Sequence, residues 1–298
     1  MITQFQDIIA QKYQKDSPMK KVAVVCAESK YVIEAVKKAY EDGLVDPLLI
    51  GNKEIIRDII KELNCTKTFE IINAKTPEDC IKKMQELVHS GKVDAIMKGL
   101  IETRDLMSAI VKDEQFRTGD VITSICLFKI PNYPKLLGVL DSGVVMYPTL
   151  EQKAGIIRDA VACYHAMGYE KPKVGILCSV DMVNPKMPET IDARTLTEMG
   201  EKGAFGACEV YGPLSYDLCI DPDAAKVKGC TSPVAGDADI IIVPDINTGN
   251  ALVKALYLSA QADSASMILG TKVPVIITSR SAKAEEKYWS IIFSCALQ

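Results

Sequence analysis

KVAVVCA, residues 21–27, is followed two residues later by KYVIEAVKKAYEDG, residues 30–43. A short run of β-branched and small apolar residues suits a strand covered on both faces. The second segment is amphipathic and ends at Gly43, a residue type that often closes a helix. DPLLIG (46–51) and the helical KEIIRDIIKEL (53–63) repeat the pattern. TPED (76–79) opens another helix, with Thr76 suited to the N-cap, Pro77 to the first turn, and two acids to the positive end of the helix dipole. That helix is expected to run to about His89, after which VDAIMKG (93–99) returns as a strand. Strand, helix and strand in alternation imply right-handed crossovers and a largely parallel sheet.

Further along, the character changes. VITSICLFKIPNYPKLLGVLDSGVVMYP (121–148) has little helical period and reads as strands interrupted by Pro131 and Pro134. Thr149 and Gln152 have the spacing of a capping box for a helix reaching Gly168. VGILCSV (174–180) then starts a second alternating set, with helical ETIDARTLTEMGEKG, strand DIIIVP (239–244), helical GNALVKALYLSAQA and strand VPVIITS. In the last helix Trp289, Ile292, Phe293 and Ala296 share one face at i, i+3, i+4 and i+7. The expected architecture is two α/β/α domains with largely parallel sheets. Residues 1–145, joined by the C-terminal helix 281–298 crossing back, form the first domain, and residues 146–280 form the second.

Composition narrows the function. With 298 residues, 48% hydrophobic and 25% charged, the chain can bury a sizeable core. A net charge of −4 and 6% aromatic content argue against a phosphate-tracking nucleic-acid surface, although a local basic pocket for a small anion remains compatible. Of the ten cysteines, Cys26, Cys163, Cys178 and Cys208 lie in apolar segments and no CxxC occurs, which reads as free core thiols in a reducing compartment. His89 and His165 have no ligand-spaced partner, so no metal site is expected. The amphipathic start MITQFQDIIAQKYQKDSPMKK does not resemble a signal peptide, and no run has the length of a membrane span. A cytoplasmic protein with small-molecule partners, neither nucleic acid nor membrane, is expected.

Ligands of open α/β sheets bind beyond the carboxyl ends of strands, where helix N-termini face an anion. The polar residues at those places are therefore the candidates. After VDAIM come Lys98, Gly99, Thr103 and Arg104; after LLGVL comes Asp141; after GILCSV come Asn184 and Lys186. DIIIVP leads into Asp245, Asn247, Thr248, Gly249 and Asn250, and VIIT leads into Ser279 and Arg280. Each also has a plain structural role open to it: Gly99 and Gly249 can turn the chain, Asn247 and Thr248 can cap, and Asp245 can cap or pair locally. Collectively, hydroxyls, amides, lysines and arginines suit a phosphate-bearing ligand, with arginine able to bind it bidentately. No GxxxxGK[ST], GxGxxG or GxSxG is present where it would be needed, which disfavours a nucleotide cradle and an ordinary serine hydrolase.

MKGLIETRDL, PTLEQK, VNPKMPET, SPVAGDADIIIVPDINTGN and KVPVIITSRS occur in this order at spacings that resemble the phosphate acetyl/butyryltransferase family, from about residue 93 to the C-terminus. PTLEQK and NPKMPET look like its butyryl branch; PDINTGN is also similar to the acetyl branch. The resemblance implies an isocitrate/isopropylmalate dehydrogenase-like fold with an active-site cleft between domains, and a homodimer or higher homo-oligomer. It implies reversible transfer of a short acyl group, such as butyryl, between CoA and phosphate in a ternary complex. Acyl-CoA and phosphate are then substrates, with no bound cofactor. The family's serine–arginine pair maps onto Ser279, which would bond the sulfur, and Arg280, which would hold phosphate. An acetyl-branch aspartate, seven residues after that serine and proposed as base, maps onto Glu286, whereas a butyryl-branch aspartate three residues after it is Ala282 here. An acetyl-branch arginine has no counterpart around Tyr257 and Leu258. The rivals are an acetyl-specific enzyme, a metal- and NAD-dependent dehydrogenase of related fold, and a two-domain ligand-binding protein without turnover.

Overall fold

The apolar runs of the N-terminal third become buried parallel strands. In the computed structural model, which describes residues 2–13, 18–65, 67–119, 121–279 and 282–297, these are β1 (Lys20–Val25), β2 (Val45–Gly51), β3 (Glu70–Asn73) and β4 (Ala95–Lys98). Among them run α1 (Phe5–Lys12), α2 (Lys30–Glu41), α3 (Lys53–Glu62), α4 (Pro77–His89) and α5 (Thr103–Lys112). The Thr76 hydroxyl caps α4 at the Asp79 N–H, and Gly43 leaves α2 at φ 74°, a conformation that costs glycine no Cβ clash. The chain continues through β5 (Thr123–Lys129), β6 (Leu136–Leu140), α6 (Leu150–Ala166), β7 (Lys173–Leu177), α7 (Pro188–Glu201) and β8 (Glu209–Leu214). Then follow α8 (Tyr216–Ile220), α9 (Pro222–Val227), β9 (Ile240–Ile242), α10 (Ile246–Lys254), β10 (Asp263–Leu269), β11 (Val275–Ile276) and α11 (Ala284–Cys295). The Thr149–Gln152 capping box at the start of α6 is present in both directions.

Packing divides the chain into a terminal unit, Phe5–Thr118 with Ala265–Gln298, and a central unit, Met1–Gln4 with Gly119–Ser264. In the terminal unit the strand order is β3-β2-β1-β4-β11-β10, parallel except where β10 meets β11. In the central unit it is β5-β6-β9-β7-β8, parallel except for the β5–β6 hairpin. Both are the largely parallel α/β arrangement expected from the alternation.

The divisions fall at 118/119 and 264/265, not at 145 and 280. Hydrogen bonding explains the difference. β6 pairs with β9 (Gly138 beside Ile240), which draws the proline-broken strands into the central unit. β11 pairs with β4 (Val275 beside Ile96), which puts the last strands in the terminal unit. The α11 helix packs there too: Phe5 stacks on Trp289 at 5.5 Å, the Tyr288 hydroxyl donates to Asp42 Oδ2 at 2.8 Å, and the Tyr13 hydroxyl donates to the Ile292 carbonyl at 2.9 Å. Every residue from Lys287 to Cys295 is buried, so α11 is covered all round and not along one stripe only.

Candidate active site

β4 and β11 are parallel neighbours, so their carboxyl ends emerge side by side. The first delivers Lys98, which is buried, with Nζ 3.5 Å from the Gly99 carbonyl. Gly99 is a glycine because the chain crosses the end of β1 here: Leu100 N–H bonds the Cys26 carbonyl at 2.6 Å, and a Cβ at 99 would collide with that same oxygen. β11 delivers Thr278, buried, and Ser279, exposed. The loop is held from α11. Lys287 Nζ donates to Thr278 Oγ1 at 2.9 Å and to the Ser279 carbonyl at 3.0 Å, and the Ala282 N–H bonds that carbonyl at 3.1 Å. Burial lowers the Lys287 pKa to about 8; the Glu286 carboxylate opposes that shift and the Lys98 charge adds to it.

Arg280 lies outside the described residues. Glu286 is half-buried in the first turn of α11. Thr103 begins α5, and Arg104 beside it is 90% exposed and paired with its neighbour Asp105 at 3.3 Å. An exposed pair of this kind contributes little to stability.

The central unit presents a different arrangement. Asp141 follows β6, is buried, and accepts six hydrogen bonds. Ser124 Oγ (2.5 Å), Gly143 N–H (2.7 Å) and Val144 N–H (2.9 Å) reach one oxygen. Thr123 Oγ1 (2.9 Å), Val145 N–H (3.1 Å) and Ser124 N–H (3.2 Å) reach the other. This carboxylate organises its own loop. Against that loop lies α10: a Cβ at Gly249 would stand 2.6 Å from the Asp141 carbonyl oxygen, so glycine is needed for the approach. Asp245 caps α10 through the Thr248 N–H (2.9 Å), and Asn247 reaches the Tyr147 hydroxyl at 3.3 Å. Asn250, on the same helix, is exposed.

Asp245 and Thr248 also line a cavity of about 730 Å³ in the central unit, together with Leu177, Cys178, Tyr216 and Leu252. Asn184 accepts from the Lys186 N–H through its side chain and is tied to Thr190, which makes it a shaper of the loop before α7; Lys186 is exposed. Cys178 is buried, and burial pushes its thiol up to about 12, far from a nucleophilic thiolate at neutral pH. The acids of GDADIII turn out to serve structure: Asp237 and Asp239 hold the buried Lys135 at 2.8 and 2.6 Å at the start of β9.

Lys287 is not among the strand-end residues that the sequence singles out. A lysine heading KYWSIIFSC, a segment too apolar to expose any face, was the available signal. Among the described residues no three His, Cys, Asp or Glu side chains gather as a metal site, and no helix is long and apolar enough to cross a membrane.

The family profile described as "Phosphate acetyl/butaryl transferase" matches residues 68–295. The chain is 44% identical to the phosphate acetyltransferase of Thermotoga maritima, over 92% of this chain and 94% of that one. It is 37% identical to the phosphate butyryltransferase of Clostridium acetobutylicum, over 98% and 97%. A crystal structure of a branched-chain phosphotransacylase from Enterococcus faecalis superposes with a TM-score of 0.84 at 27% identity, covering 94% of this chain and 99% of that one.

Proposed function

We propose that this chain, which belongs to the phosphate acetyl/butaryl transferase family, interconverts butyryl-CoA, or a similar short acyl-CoA, plus phosphate with acyl phosphate plus CoA. A phosphate oxygen attacks the thioester carbonyl carbon, the C–S bond breaks, and the phosphate proton passes to the departing sulfur. The observation that carries this reading is the strand-end arrangement in the terminal unit: the exposed Ser279 follows β11 beside the buried cation Lys98 on parallel β4. Cations and hydroxyls fixed in advance around an attacking anion lower the barrier by positioning and charge stabilisation.

In this reading Ser279 bonds the sulfur, Arg280 holds phosphate, and Glu286 exchanges the proton with the CoA thiol. Lys98 and Gly99 complete the anion seat, with Thr103 and Arg104 on the following helix available to the polyanionic CoA. The central-unit cavity, apolar at Leu177 and Leu252 and polar at Asp245 and Thr248, suits an acyl-pantetheine ligand. Asn247, Asn250, Asn184 and Lys186 are assigned to its surroundings, and Asp141 with Gly249 to its support. Ten free cysteines accord with a cytoplasmic setting, and a homo-oligomer is part of the same reading.

A second reading, acetyl specificity, is favoured by the 44% identity to the Thermotoga phosphate acetyltransferase. Turnover on acetyl-, propionyl- and butyryl-CoA at fixed phosphate separates the two. A higher kcat/KM with butyryl-CoA is expected, and a preference for acetyl-CoA selects the second reading. Binding of all three without phosphate-dependent CoA release would contradict both.

A further inference from the structure

A buried ammonium is costly unless its three N–H donors and its charge are both met. Lys287, 3% exposed, has its described hydrogen bonds to neutral oxygens, the Thr278 hydroxyl and the Ser279 carbonyl. Lys98, 4% exposed, brings a second buried cation to the same strand ends. Among the described residues, the groups acting on Lys287 are the carboxylate of Glu286 from its own helix, the charge of Lys98 from β4, and the two uncharged acceptors from the loop after β11. The Lys98 charge disfavours the Lys287 ammonium and the Glu286 carboxylate supports it by more, while burial outweighs both; a dianion seated at the strand ends would add to that support.

We infer that Lys287 is a positioning residue for phosphate: its charged side chain pins the Thr278–Ser279 strand end and, together with Lys98, biases that end toward an inorganic dianion. The inference rests on the acyl-transfer reading above. It adds a residue and a regulation by pH. Because burial brings the Lys287 pKa down to about 8, its charge is complete near neutrality and is lost as the pH rises through that value. Phosphate affinity should follow the charge in that direction.

The test measures the phosphate KM in the butyryl-CoA-to-CoA direction from pH 7 to 9.5, with the acyl-CoA KM recorded alongside. Above pH about 8 the wild-type phosphate KM should climb steadily, approaching about tenfold per pH unit, while the acyl-CoA KM stays nearly level. Lys287→Met should raise the phosphate KM about 10–100-fold at pH 7 and flatten its pH dependence, as loss of a charge-assisted contact predicts. Lys287→Arg, which stays charged throughout, should keep a low KM to pH 9.5. The wild-type and arginine profiles do not depend on the methionine variant folding. A level wild-type phosphate KM across the range, or an arginine variant that tracks the wild-type rise, overturns the inference while leaving acyl transfer intact. A wild-type protein that releases no CoA in response to phosphate overturns both.

Discussion

The loop after β6 and the loop after β11 look alike in one respect: buried charge meets each at the carboxyl end of a strand in a largely parallel sheet, carried by Asp141 within the first and by Lys98 of β4 and Lys287 of α11 at the second. Around Asp141 six protein donors meet both carboxylate oxygens, so the charge is spent on holding its loop and the neighbouring α10 in shape. Around Ser279 the buried charges are the cations of Lys98 and Lys287, and the described hydrogen bonds of Lys287 go to uncharged oxygens. A charge met by its own loop builds structure, whereas two like charges drawn to one strand end favour a ligand of the other sign. The strand-end position alone therefore does not identify a functional residue. At Asp141 the loop's own donors account for the charge.

Substitutions can break this contrast, and the largest effect is expected at Glu286. As the proton-exchanging group it should cost ~10²–10⁴-fold in rate on Glu286→Gln, chiefly in the direction from acyl phosphate and CoA. That loss should shrink as the pH approaches the thiol's own ionisation, near 8.5 for a cysteine-like thiol. If Glu286 only stabilises the first turn of α11, the cost is instead about 0.3–1 kcal/mol of stability with normal turnover. Steady-state rates in both directions, with a melting curve, separate these outcomes.

Next in size is Arg280→Ala, expected to lower kcat/KM by about 2–4 kcal/mol with a raised phosphate KM. Arg280→Lys should recover only part of it, because an ammonium cannot reproduce the bidentate fork. Wild-type phosphate kinetics in the alanine variant would remove this arginine from the anion seat.

Asp141→Asn probes the other side of the comparison. An amide cannot accept from all six donors, so a stability loss of about 2–3 kcal/mol is expected in denaturant unfolding. The phosphate KM of the folded fraction should stay at the wild-type value. A raised phosphate KM with unchanged stability would reverse the two loops' roles.

The smallest effect is expected at Cys178, whose thiol burial pushes up to about 12. Cys178→Ala should keep phosphate-dependent turnover, with at most a modest change in acyl-CoA KM because Cys178 lines the cavity, and a stability loss of roughly 1 kcal/mol from the small void left behind. An acyl adduct on Cys178 forming at the rate of turnover would contradict direct transfer.

Local signals in the sequence carried over well. The Thr76 cap, the Thr149–Gln152 box and the Asp245 cap each depend on residues three positions apart, and each is formed. The strand–helix alternation was equally local. What could not be read were relations set by distant pairing: β5 and β6 join β9, and β11 joins β4, which moves the divisions of the chain to 118/119 and 264/265. The candidate site divides the same way. Lys98, Ser279 and Asp245 follow from the strand-end rule, but the same rule selected Asp141, Asn184 and Gly249 without showing that a loop's own donors or a close backbone approach explain them. Lys287 was hidden because a lysine in a helix is ordinarily solvent-facing; only the all-round burial of α11 turns it into a buried cation.

The most direct test of phosphate-assisted acyl transfer is the initial rate of CoA release from butyryl-CoA, followed with a thiol reagent, as inorganic phosphate is titrated in. A rate that starts near zero, rises and saturates with phosphate, with butyryl phosphate formed in equal amount to CoA, is expected. CoA release independent of phosphate, or none at any phosphate concentration, would contradict the account.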